Sequence, residues 1–417
     1  MNNFQIPYIV AGCGGHSLSG SAGTTGTTGT TGTGALPNTL TITVDGGPSA
    51  LMNAGGYAAN TLYATLTICT PGNASACQTI DHVQIDTGSV GVQILAEALN
   101  GSAAPAPIKD PSTQLPLFEC VTFADGYVWG SMVTADVSIA GRTLSSLPIH
   151  LIGDAAAGSA PAACVSGPNE NSVAVFGANG ILGVQNWLQD CGSGCVTNIP
   201  AQDTPYYVCS NAATANQSCT ATTIALTSQM QNPVGALSAD NNGVKFVLPA
   251  VSAPGAPSVN GMMYFGVGTQ SDNSLGSATV YTVNGYAYLN TTYNNTLLSQ
   301  SFVDSGSNAY FFDDSNIAVC PSTDQVAAGW YCPPSTLNLS ATLAGQNGAQ
   351  ATIGFSVDNA DSLFGGTTIL TAYPTLAAPN TVANSVSNSF DWGLPFFYGR
   401  TVYVLFENDA QGPAVAF

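Results

Sequence analysis

The stretch HVQIDTGSVGVQI (residues 82–94) runs an alternating, β-branched segment straight into Asp86, followed by Thr87, Gly88 and Ser89. A carboxylate at the end of a partly buried strand loses hydration, so it needs hydrogen bonds, a partner or a proton. One Asp-x-Gly after a strand reads as an ordinary turn. The second half of the chain repeats it: LLSQSFVDSGSNAYFF (297–312) carries Asp304, Ser305, Gly306 and Ser307 in the same arrangement. Each copy is followed, at a similar distance, by an apolar segment closing on glycine. These are Ile181-Leu182-Gly183 in GANGILGVQNW and Trp392-Gly393 in FDWGLPFFYG. The chain reads as two versions of one unit.

From about residue 36 onward the chain resembles the pepsin-like aspartic peptidases. In that family each lobe contributes one Asp-Thr/Ser-Gly loop with an apolar-Gly segment beside it. The resemblance implies an all-β, two-lobed fold with pseudo-two-fold duplicated lobes and few short helices. It also implies a catalytic pair, Asp86 and Asp304. Two further stretches carry it. DGYVWGSMVTADVSIAG (125–141) looks like the hairpin flap that closes over substrate, with Tyr127 at the flap tyrosine's place and Gly130 and Ser131 after it. NGMMYFGVGTQSDN (260–273) is similar to the strand and glycine turn that open the second lobe. Two positions depart from the pattern. Gln93 stands where the family has a tryptophan that bonds the flap tyrosine, and no Gly-Asp ending precedes Gly393, which suggests a divergent bacterial branch.

The chemistry accounts for the residue types. Two carboxylates brought face to face cannot both ionise, so they share a proton: one activates water as a base and the other polarises the carbonyl as an acid. The pair titrates as a unit, with an expected optimum at about pH 3–5. The hydroxyls of Thr87 and Ser305 are expected to brace the loops, and Gly88 and Gly306 to let backbone approach the carboxylates. Ser89 and Ser307 either donate to the outer carboxylate oxygens or bond local backbone as turn hydroxyls. No cofactor and no metal is implied.

Only 6% of residues are charged, and alternating runs dominate. TLTITVDG (39–46), VTADVSIAG (133–141), ATVYTVNGYAYLN (278–290) and TVYVLFEN (401–408) predict strands. Asn284-Gly285 predicts a hairpin turn, and short helices are expected at GVQNWLQ (183–189) and around 314–319. The organisation expected is a partial signal segment over 1–13, a tether over 14–38, a first lobe over 39–240 and a second over 241–417.

Four basic residues against 23 acidic ones give a net charge of −19, which repels nucleic acid. Peptide or protein is the expected substrate, and a monomer the expected state. Few basic groups also imply acid tolerance, because protonating the carboxylates leaves little positive charge behind. Eleven cysteines suggest an oxidising compartment. Cys13, in Val10-Ala11-Gly12-Cys13, resembles the lipobox of bacterial lipoproteins, and a Gly/Thr/Ser tether follows it. Export and outer-membrane anchoring through Cys13 are therefore expected, or secretion. The other ten pair by proximity as Cys69–Cys77, Cys191–Cys195, Cys209–Cys219 and Cys320–Cys332, leaving Cys120–Cys164. Sequence alone cannot establish this connectivity.

Other chemistries fit less well. A Ser-His-Asp hydrolase needs a histidine by its nucleophile, and no G-x-S-x-G elbow lies near His82 or His150. A glycosidase also uses two carboxylates but has no call for twin loops. Zinc on Cys191, Cys195, Cys209 and Cys219 lacks standard spacing, and SADNNG (238–243) lacks most ligands of a calcium loop. The main rival is a pepsin fold kept as a binding or structural module, since fold alone does not imply activity.

Overall fold

The computed structural model describes residues 38–196, 204–382 and 388–417. Cys13 and the tether lie outside the described residues. Among those described, three short α-helices (Ser49–Asn53, Val173–Phe176 and Ala360–Phe364) accompany 23 strands. The fold is nearly all β, as the alternating sequence demands.

Six strands of the first half close on themselves. Asn73–Asp86 runs parallel to Gly180–Val184, which pairs with Val90–Leu95. Val90–Leu95 then pairs with Arg142–Ile152, and that strand with Tyr127–Ile139. The last of these meets Leu62–Thr70, which returns to Asn73–Asp86. Closure removes sheet edges and buries the alternating residues Val83, Ile85, Val92 and Ile94.

A bridge joins the halves. Thr39–Val44 pairs with Val259–Phe265 over six residues. Gly243–Val247, Thr401–Leu405, Ala414–Ala416 and Val280–Thr282 continue the same sheet. The segment 260–273 thus supplies a central strand of the bridge. Asn60, with a positive φ of 52°, locks the join. Its amide donates to the carbonyls of Asn308 and Tyr373, and its oxygen accepts from the Tyr373 N–H and the Tyr398 hydroxyl.

A seven-stranded sheet forms the rest of the second half. Its core is aromatic: Phe312 stacks on Phe390 at 4.8 Å and Phe390 on Trp392 at 4.2 Å. The Trp392 indole N–H is satisfied by Thr291 Oγ1 at 3.0 Å.

Several local expectations are corrected. The stretch 183–189 is strand and then irregular, because the Gln185 and Asn186 amides reach out to the carbonyls of Gly88, Leu405 and Ala414. Around 314–319 the Asp314 carboxylate accepts from the Asn316 N–H and makes a turn instead of a helix. Asn284-Gly285 turns the chain but joins no hairpin: Val280–Thr282 pairs with Ala414–Ala416, and Leu289–Tyr293 with Thr296–Val303. The tight hairpin of this region has Asn294 and Asn295 at its tip, with φ of 47° and 62°, a conformation asparagine tolerates.

The five cysteine pairings are those expected from proximity. The four cysteines weighed as zinc ligands are therefore disulfide-bonded. Such a set belongs to proteins that fold in an oxidising, exported setting. Among the described residues no helix is long and apolar enough to cross a membrane.

Candidate active site

Each Asp loop leaves its strand through the same backbone arrangement. In the first half Asp86 lies opposite Gly183 in the parallel pair, and Gly91 opposes Gly183 from the other side. In the second half Val303 lies opposite Trp392, and the Asp304 N–H donates to the Trp392 carbonyl at 3.1 Å. Asp304 therefore sits at Gly393. Neither glycine has room for a side chain: a Cβ on Gly183 would lie 2.8 Å from the Ser89 carbonyl, and one on Gly393 2.1 Å from the Ala309 oxygen. The apolar-Gly segments are threaded between the two arms of each Asp loop.

The two loops meet with near two-fold reciprocity. The Thr87 hydroxyl donates to the Val303 carbonyl at 3.2 Å and accepts from the Ser305 N–H at 2.9 Å. The Ser305 hydroxyl donates to the Ile85 carbonyl at 2.9 Å and accepts from the Thr87 N–H at 3.2 Å. Each carboxylate is held in the same way. Gly88 N–H donates to Asp86 Oδ1 at 2.7 Å, and Gly306 N–H to Asp304 Oδ1 at 2.8 Å. Ser89 Oγ donates to Asp86 Oδ2, and Ser307 Oγ to Asp304 Oδ2 at 2.9 Å. Of the two readings for these serines, the structure has the carboxylate-bonding one.

Asp86 and Asp304 are hydrogen-bonded to each other and wholly buried. A Cβ on Gly306 would lie 2.5 Å from Asp86 Oδ1 and 3.2 Å from Asp304 Oδ1, so only glycine fits beneath the pair. Burial raises the pKa of both. Asp304 is pushed well above the usual carboxylate range, with the Asp86 and Asp391 charges adding to the rise. Asp86 rises as well, eased by the hydrogen bonds of Ser89 and Asp304. Such an arrangement can hold one proton between two oxygens and present a carboxylate and an acid side by side.

The segment expected as the flap hairpin supplies one arm of a hairpin, the thirteen-residue strand Tyr127–Ile139, which pairs antiparallel with Leu117–Thr122. Its turn lies earlier, at Phe123–Gly126, where Phe123 N–H donates to the Gly126 carbonyl. Gly130 sits in mid-strand opposite Ile152, and a Cβ there would lie 1.9 Å from the Leu151 oxygen. Ser131 bonds the Asp154 carboxylate through both its N–H and its hydroxyl. Tyr127 packs among Phe118, Trp129, Tyr207 and the Cys120–Cys164 disulfide. None of these three residues hydrogen-bonds the carboxylate pair. Gln93 instead meets His150 Nδ1 at 3.0 Å.

Three further residues belong to the site and had not been singled out. The amides of Gln84 and Gln185 donate to the carbonyls of Gly306 and Gly88 at 3.0 and 2.8 Å, tying down the loop tips. Asp391, one position before Trp392, is a third buried carboxyl. Strand period 2 was the available signal: Gln84 shares a face with Asp86, and Asp391 with Gly393.

No curated protein matches the chain. Its fold is similar to that of the aspartic proteinase from Irpex lacteus, with a TM-score of 0.48 and 15% identity over 91% of this chain and 96% of that one. Residues 34–417 match the family described as "Protein of unknown function (DUF3443)". With a match spanning nearly its whole length, the chain belongs to the DUF3443 family.

Proposed function

We propose that this protein is an aspartic endopeptidase. The observation that carries the reading is the reciprocal lattice of Thr87 and Ser305 around two hydrogen-bonded, buried carboxyls. Packing alone offers no reason to face two carboxyls across such a join, since each costs free energy to bury. In the reaction the carboxylate takes a proton from water as its oxygen attacks the scissile carbonyl, and the acid donates to the carbonyl oxygen. The tetrahedral diol then breaks its C–N bond as the carboxyl that took the proton from water passes it to the amide nitrogen and the other, now a carboxylate, takes one from a diol hydroxyl, which restores the pair. The site lies in a protein built for export, and lipid anchoring through Cys13 is part of the same proposal. Cys13→Ser should then move the protein from membranes to the soluble fraction.

A binding or structural module is the second reading. It is favoured by the complete burial of Asp86 and Asp304 and by the position of Tyr127 away from them. Digestion of an unfolded protein in acid, with and without a transition-state analogue of aspartic peptidases, separates the two. Asp86→Asn or Asp304→Asn should each cost several powers of ten in rate, and the double variant little more, because the pair acts as one unit. Near-normal hydrolysis by Asp304→Asn would overturn the peptidase reading.

A further inference from the structure

Asp391 has no counterpart in the first half of the molecule. It pairs with Phe302, two residues before Asp304. The matching position, paired with Gln84 two residues before Asp86, is Ile181. An apolar side chain satisfies the fold there, so packing does not call for a carboxyl at 391.

Its direction follows from the strand. Trp392 points into the aromatic core against Phe390 and Phe396, so Asp391 and Gly393 take the opposite face. Gly393 lies there against the backbone of Ser307 and Ala309, which places Asp391 beside the Asp304 loop. Asp391 is 0% exposed, and neither of its oxygens makes a hydrogen bond of ordinary geometry, the Ser307 hydroxyl being the donor that acts on it. A carboxyl buried this way is costly as an anion and tolerable only as the neutral acid.

The groups that act on it are few. From the adjoining strand and loop come Phe302, Asp304 and Ser307, and from the first half Asp86. From the other flanking strand come Phe311 and Tyr310, with Arg400 acting on Tyr310. Burial pushes the Asp391 carboxyl well above the usual range, the Ser307 hydroxyl easing the rise and the Asp86 charge adding to it. The Asp391 charge in turn raises Asp304.

We propose that Asp391 is a third carboxyl of the site, a positioning residue coupled to Asp86 and Asp304, so that protons stay on the three-carboxyl set to higher pH than two carboxyls alone would hold them. The inference rests on reading Asp86 and Asp304 as one proton-sharing pair. Three carboxyls then titrate as one coupled set, and the working range extends from acid toward neutrality.

The test is a carboxyl 13C NMR titration of the full chain labelled at aspartate, with kcat/KM against pH measured alongside on a denatured protein substrate. In the wild type, Asp391 should stay protonated well above the ordinary aspartate range, and the dyad signals should register its ionisation as a second step. Asp391→Asn, or Asp391→Ser if the first variant folds poorly, should lower the dyad's titration midpoint by about one unit. The alkaline limb of kcat/KM should move with it. An Asp391 that titrates near pH 4 in the wild type, or a dyad midpoint unmoved by its replacement, overturns the proposal. If the linked titrations appear without peptide hydrolysis, the peptidase reading falls and this one stands. Hydrolysis with independent titrations overturns this one alone.

Discussion

Thr87 and Ser305 show how much of this site is held by single hydroxyls. Each donates to a carbonyl across the join and accepts an N–H from across it, all within the buried interior. Thr87→Val keeps the shape of the side chain but leaves the Ser305 N–H and the Val303 carbonyl unpaired. A buried unsatisfied group costs about 1–3 kcal/mol, so urea denaturation should show a loss of about 2–4 kcal/mol. Adding Ser305→Ala should cost less than its separate effect, because the two side chains share one network. A Thr87→Val protein as stable as the wild type would mean that the loops are braced by something else.

Among the elements, the short apolar-Gly strands decide where the carboxyls end up. Gly180–Val184 and Asp391–Trp392 each lie between the strand leading into an Asp loop and the strand leaving it. Ala at 393 would put a methyl 2.1 Å from the Ala309 oxygen, whereas Ala at 183 meets its nearest backbone at 2.8 Å. Both are overpacked, the first severely. Chemical denaturation should therefore find Gly393→Ala destabilised by about 3 kcal/mol and Gly183→Ala by about 1–2 kcal/mol. Two neutral substitutions would mean that the strands can separate from their loops without cost.

Over the whole molecule, raised carboxyls set the pH response. Beyond the three at the site, Glu119 and Asp190 form a second buried pair, with Asp190 pushed up to about 6 by burial. Asp125 and Glu170 form a third, with Glu170 pushed up to about 8 by burial. In the unfolded chain all of these titrate near pH 4. Between pH 4 and 8 the folded state binds more protons than the unfolded one, so stability must fall as pH rises. The opposite sign holds for Asp45, Asp110, Asp240, Asp314 and Asp324, held below the usual range by their hydrogen-bond donors despite burial. Their contribution is lost as pH falls below 4. His150, lowered to about 3 by burial, opposes the carboxyls as pH drops from 6.5. Scanning calorimetry should place the highest Tm near pH 4 to 5 and show a decline to pH 8. A Tm that rises from pH 5 to 8 would contradict the burial of these pairs.

Asp86, Asp304 and the two apolar-Gly segments were legible in the sequence because each is a short local pattern that occurs twice, and duplication survives without knowledge of contacts. The disulfide pairing was legible as a preference because eight of the ten cysteines lie in close-spaced pairs and Cys120 and Cys164 are the two left over. Strand character along 39–46 and 401–408 followed from alternation alone. What the sequence could not carry was the identity of partners far along the chain. Asn284-Gly285 has the local chemistry of a hairpin, yet the strand before it finds a better partner at the carboxyl terminus. Gly130 was legible only as part of the flap stretch, and its need to be glycine comes from the Leu151 carbonyl that its strand passes. Asp391 reads as an ordinary polar residue before a tryptophan until its strand is laid beside Asp304. Only then does burial, which depends on every neighbouring element at once, turn it into a third acid at the site.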